Sequence, residues 1–227
     1  MTHESLGIIR REHRALSAML RSITLLMDEH RRRGTLPDFD ALRAMLFYVD
    51  EFPEKLHHPK ETRLLFPRLR GRDPHIDGVL DRLEGDHAQG ERAIRELEHR
   101  LIAFQVMAGT AQCETRRALF EAAIRRYADF YMNHMRTEEA EILPLAEALL
   151  GDADWAELDA AFLENRDPLA GYEADEVYGP LFRKIVAALE KKSSVGSALE
   201  AFAGMSQPRF SPSTGVGEQP PGPVREV

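Results

Sequence analysis

The chain has 227 residues, 43% hydrophobic and 30% charged, a composition that suits one globular domain plus an appendage. A formal net charge of −8 argues against a nucleic-acid-binding face, and no apolar run reaches the roughly 18 residues needed to span a bilayer. The single cysteine, Cys113, excludes an internal disulfide and any cysteine-built zinc or iron–sulfur cage, so a metal here must rely on His, Asp and Glu.

The opening Met1-Thr2-His3-Glu4 has neither the basic start nor the apolar stretch of a signal peptide, and a cytoplasmic location is expected. Aromatics make up 7% of the chain, and alternating Val/Ile/Thr runs are absent. An all-α fold is therefore expected. A first helix runs from about Ser5 to Arg33, with Ile8, Ile9, Leu16, Met19, Leu20, Ile23, Leu26 and Met27 at helical spacing. Gly34 to Asp38 ends it. A second begins after the Asp38 cap and carries Leu42, Met45, Leu46, Val49 and Phe52. Pro53 and Pro59 each remove an amide donor, so a kink or break is expected there.

The third helix spans roughly Pro74 to Met107 and the fourth about Thr110 to Leu150. Four long helices with short loops suggest an up-down-up-down four-helix bundle over residues 1–150. Residues 151–192 form a helical extension with two shorter stretches, about Asp154–Glu164 and Tyr178–Lys191. From residue 193 to 227 Ser, Gly and Pro dominate, and a disordered tail is expected.

Nine histidines are present. Three begin the pattern His-x-x-x-Glu: His57/Glu61, His87/Glu91 and His134/Glu138. A spacing of four places both side chains on one helix face, one turn apart. Each pair falls on a different predicted helix, and the remaining helix contributes His13. Four imidazoles and three carboxylates are a suitable set for two metal ions, and their ligand character fits iron or manganese. His3, His30, His75 and His99 read as ordinary surface or hydrogen-bonded histidines. His58, about 100° around the helix from His57, is expected outside direct ligation. Tyr127 and Tyr131 are expected in the core, with a proton-donating role open to them.

Two other templates compete. Glu54-x-x-His57 and Glu84-x-x-His87 match the motif of ferritin-like di-iron carboxylate bundles that handle or oxidise iron. Those sites use few histidines, whereas this chain places His13 and His134 on the outer two helices. A helical interaction module without metal is the second alternative, and it requires Glu61 and Glu138 to be exposed.

His13 in Arg-Glu-His-Arg, Phe52-Pro-Glu-Lys-Leu-His-His-Pro-Lys-Glu61 followed by Leu65-Phe66-Pro67, and His134-Met-Arg-Thr-Glu-Glu139 with Ile142-Leu-Pro144 resemble the hemerythrin-like (HHE cation-binding) domain family over residues 5–150. The resemblance implies a bundle with an oxo- or hydroxo-bridged pair of iron ions. His13 and His57 would be terminal ligands on one iron; His87, Glu91 and His134 would serve the other, with Glu61 and Glu138 bridging. Glu91 stands where the oxygen carriers of the family have a fifth histidine. Glu139 matches the longer spacing of their last carboxylate, so Glu138 and Glu139 both remain open as the bridge. An anion in place of an imidazole stabilises the ferric state. The expected function is therefore to sense or react with O2, peroxide or NO, with oxygen storage less favoured. True enzymatic turnover stays open, as does a homodimer; neither nucleic acid nor a membrane is an expected partner.

Overall fold

The computed structural model describes residues 3–173 and 176–190. These are all-helical, with no strand among the described residues. No helix among them is long and apolar enough to cross a membrane.

Helix α1, Glu4–Arg33, carries Glu4 in its first turn and Arg31 to Arg33 in its last, each complementing the helix dipole. It ends at Gly34, whose φ of 64° turns the chain left-handed. The next helical run, α2 (39–69), is capped by Asp38, whose side chain accepts the amide of Ala41 at 3.0 Å. Helix α3, Pro74–Val106, is capped by Asp73, with proline at its first position. The fourth run, α4 (113–149), opens at Cys113.

Two shorter helices follow, α5 (Asp152–Leu163) and α6 (Gly179–Glu190), within two residues of the expected bounds. Irregular chain containing a 3₁₀ turn, Pro168–Ala170, precedes α6. The tail expected at 193–227 lies outside the described residues.

Of the kink or break expected at Pro53 and Pro59, the run shows no break. Instead α2 widens into π-helical stretches, Asp50–His57 and Glu61–Leu65, and α4 does the same over Glu138–Ile142. The amides of His58, Phe66 and Leu143 each reach the carbonyl five residues back, on Pro53, Glu61 and Glu138. A proline cannot bond the carbonyl four back, and the wider turn absorbs the missing bond without stopping the helix. Pro67 and Pro144 each follow such a stretch by two residues, so α2 and α4 carry the same device.

Two apolar cores hold the helices together. One gathers Leu16, Leu20 and Ile23 of α1, Leu42, Leu46 and Val49 of α2, Ile94, Leu97 and Phe104 of α3, and Phe120, Ile124 and Tyr131 of α4, with Phe182 and Ile185 of α6. The other gathers Ile8 and Ile9, Leu65 and Phe66, Leu80 and Leu83, and Ile142 and Leu143, with Trp155, Leu158 and Phe162 of α5. Each side chain of this size stabilises the fold by roughly 1.5–3 kcal/mol on burial. Between the two cores lies a polar layer, and every long run crosses it.

Candidate metal centre

The polar layer is built where the apolar stripes of the four runs are interrupted. His13 comes from α1; Glu54, His57, His58 and Glu61 from α2; His87 from α3; His134 and Glu138 from α4. All of these are buried, and Glu61 is fully enclosed at 0% exposure.

The two carboxylates divide their oxygens between two sets of imidazoles. Glu61 directs Oε1 to His57 Nε2 at 3.1 Å and to His13 Nε2 at 4.0 Å, and Oε2 to His87 Nε2 at 3.5 Å. Glu138 directs Oε2 to His13 Nε2 at 3.3 Å, and Oε1 to His134 Nε2 at 3.3 Å and His87 Nε2 at 3.8 Å. Three overlapping groups have the spacing to hold an ion: His13, His57 and Glu61; Glu61, His87, His134 and Glu138; and His58, His87 and His134.

The outward nitrogen of each imidazole is held from behind. His13 Nδ1 lies 3.0 Å from Glu139, His57 Nδ1 2.7 Å from Glu12, and His58 Nδ1 3.2 Å from Glu54. His87 Nδ1 meets the Thr62 hydroxyl at 2.8 Å, and His134 Nδ1 faces Asp86 at 3.4 Å. Partners of this kind fix the tautomer and ring orientation of metal-binding histidines. Glu54 is itself bonded by the hydroxyls of Tyr127 at 2.5 Å and Tyr131 at 2.6 Å, both donating to Oε1. Tyr131 fits because Gly90 has no side chain to obstruct its hydroxyl.

On the inner side the polar atoms have charged neighbours but no hydrogen-bond partner. His13 Nε2, His57 Nε2 and both oxygens of Glu61 and Glu138 are buried without a hydrogen-bond partner. Orphaned groups of this kind cost several kcal/mol each when charged, unless a cation meets them. The ionisation pattern reflects the same deficit. Burial lowers the affinity of His134 for a proton, yet the charge of Glu138 reverses this and lifts its pKa to about 10. His57 is likewise raised, burial being outweighed by Glu61 and Glu12. Burial, reinforced by neighbouring imidazoles, holds His58 and His87 well below the usual histidine value, in the neutral form that binds metal. Burial and the charge of Glu138 push the Glu61 carboxyl up. The residues fit metal cations: an imidazole-rich donor set with two buried carboxylates.

Six of the seven residues expected from the sequence meet in this layer: His13, His57, Glu61, His87, His134 and Glu138. Glu91 does not. Its side chain is 56% exposed and pairs with Arg95. The buried line of α3 passes through Leu83, His87, Gly90 and Ile94, and Glu91 falls on the outer flank of that line. His58, expected outside the ligand set, instead lies buried in the layer, its ring stacked on His87 with centroids 4.4 Å apart and on Tyr131 at 5.2 Å. A core-facing stripe more than about 100° wide admits two successive residues at its edges, and His57 and His58 both turn inward.

At the end of α4, Glu138 lies in the layer, 1% exposed, while Glu139 is 43% exposed behind His13. Of the ferritin-like pair, Glu84 sits at the surface with Arg70, at 2.8 Å. His3, His30, His75 and His99 stay outside the cluster. Glu12, Glu54, Thr62, Asp86 and Asn165 were not anticipated as supporting groups. Glu12 and Asp86 each adjoin a ligating-type histidine in sequence, a usable signal; Asn165 has none.

These features define a helical bundle with a buried histidine–carboxylate site for cations. Residues 5–146 match the hemerythrin HHE cation binding domain, well over half of the chain, and the protein belongs to that family. None of the curated proteins matches it. The match stops before α5, so α5, the 3₁₀ turn and α6 lie beyond the family domain.

Proposed function

We propose that this protein binds two iron ions in an up-down-up-down bundle and senses or reacts with O2, peroxide or NO in the cytoplasm. The observation that carries the reading is the division of Glu61 and Glu138 oxygens between the His13/His57 and His87/His134 sets. One carboxylate oxygen per ion is the arrangement of a bridge, and two such bridges hold two ions side by side. His13 and His57 would complete one ion; His58, His87 and His134 would complete the other. Bound iron supplies redox and Lewis-acid chemistry, while the protein side chains fix geometry and exclude water. The reading without metal requires exposed Glu61 and Glu138, and both are buried.

With Glu91 outside the layer, the donor set becomes five imidazoles and two carboxylates. The argument from a third anion against oxygen carriage therefore falls away, and reversible O2 binding is a test outcome on equal footing with turnover. Protein purified from iron-supplied cells is expected to carry close to two irons per chain and to show near-ultraviolet absorption that His57→Ala abolishes. His58→Ala should lower the iron content, and Glu91→Ala should not. Iron well under one per chain would overturn the reading. Exposure of the reduced protein to O2, peroxide and NO then separates a reversible spectral change from consumption of the reactant.

A further inference from the structure

Beyond the family domain, the chain returns to the metal layer. Helix α5 packs Trp155, Leu158 and Phe162 into the second core and delivers Asn165, 4% exposed, between α1 and α2. The Asn165 Nδ2 group donates to both oxygens of Glu12, at 3.0 Å each. Its Oδ1 accepts from Lys60 Nζ at 2.5 Å, and the same ammonium is tied to the carbonyl of Ala161 at 2.6 Å. An ammonium only donates and an ionised carboxylate only accepts, so these partners dictate which way the amide points. Glu12 in turn meets His57 Nδ1 at 2.7 Å.

The local backbone is shaped for this purpose. Arg166 adopts φ 44°, the one non-glycine residue with positive φ among the described residues. A left-handed non-glycine residue costs of order 1 kcal/mol and persists where its surroundings demand it. Here the reversal lets Asn165 and Asp167 both point inward: Asp167 accepts the Tyr48 hydroxyl at 2.7 Å and the Leu169 amide at 2.9 Å.

We infer that the segment from α5 through the 3₁₀ turn is a working part of the metal centre, with Asn165 positioning His57 through Glu12. This rests on the di-iron reading above. An amide N–H shared between both oxygens of the carboxylate fixes its direction and draws off part of its charge, which sets how strongly His57 donates to an ion. Because Asn165 ties the segment through Glu12 to His57, iron binding and docking of α5 must favour each other by the same factor.

The test uses the full chain with Asn165→Ala and the isosteric Asn165→Asp, which keeps the shape but removes the amide donor. Iron affinity, by competition with a chelator, is expected to fall about tenfold, the lower end of what loss of such outer partners costs. The absorption and reduction potential of the loaded protein should shift. In the wild type, iron should slow amide hydrogen exchange over residues 152–170, and in both variants this protection should shrink. Should Asn165→Ala fail to fold, Asn165→Asp carries the same readouts. A wild type that binds two irons, with variants matching it in affinity, spectrum and iron-dependent protection, would overturn the inference. A wild type that binds no iron would instead overturn the di-iron reading, and this one with it.

Discussion

Asp167 shows how one buried group shapes the molecule's response to pH. Burial, helped by the nearby charge of Glu12, lifts its pKa from 3.8 to about 7. The folded protein therefore keeps a proton that the unfolded chain releases. This contribution to stability is fully present below pH 3.8 and is lost as pH rises through about 7, at up to about 1.4 kcal/mol per pH unit. Between about pH 5 and pH 8, wild-type stability measured by urea denaturation should fall relative to Asp167→Asn, which carries no such proton. A constant difference between the two across that range would rule the assignment out.

Gly90 sets a second residue-scale constraint. A Cβ there would lie 1.7 Å from the Tyr131 hydroxyl and 2.9 Å from Glu54 Oε1. Gly90→Ala should cost at least the roughly 1–3 kcal/mol of an overpacked core. Because Tyr131 and Glu54 stand behind His58, the spectrum of iron-loaded protein should change as well. A melting temperature and spectrum equal to wild type would contradict this.

At the scale of elements, the π-helical stretches do what a plain helix could not. Glu61 and Glu138 each begin one, with a proline six residues on. The Glu138 amide still bonds the His134 carbonyl four residues back, and the turn that closes five residues back follows each carboxylate, engaging the carbonyls of Glu61 and Glu138 themselves and shifting the helix beyond them, on α2 and α4 alike. Pro144→Ala restores an amide able to bond four residues back, and should tighten α4 towards ordinary helix. Helicity by circular dichroism should hold or rise while iron affinity falls several-fold. Unchanged affinity would mean that the stretch does not aim Glu138.

At the scale of the whole molecule, a polar layer between two apolar cores trades stability for function. Without cations, the unmatched oxygens of Glu61 and Glu138 are a cost that the cores must outweigh. Iron at a hundredfold excess over its dissociation constant should stabilise the fold by about 2.7 kcal/mol for each ion bound, and chelation should lower the melting temperature accordingly. The double variant Glu61→Gln, Glu138→Gln should melt above the chelated wild type, yet gain nothing from added iron. Calorimetry on the four samples decides it. Identical melting of the chelated proteins would show that the buried charges carry no such cost.

Much of this was legible in the order of residues. Apolar spacing marks the four long runs, Asp38 and Asp73 cap two of them, and the His-x-x-x-Glu pattern with His13 names six of the residues that meet. These are local matters: a spacing of four puts two side chains on one face of their own helix wherever that helix goes. Which face looks inward is decided by the other helices: His58 and Glu138 turn into the layer, and Glu91 and Glu139 lie towards the surface. The prolines read as kinks or breaks because only the folded run reveals the wider turn that accommodates them. Asn165 reaches Glu12 across 153 residues of chain, and a contact at that separation leaves no periodic trace. Sequence alone determined the helices and the chemistry of the site; tertiary packing decided which side chains share it and what stands behind them.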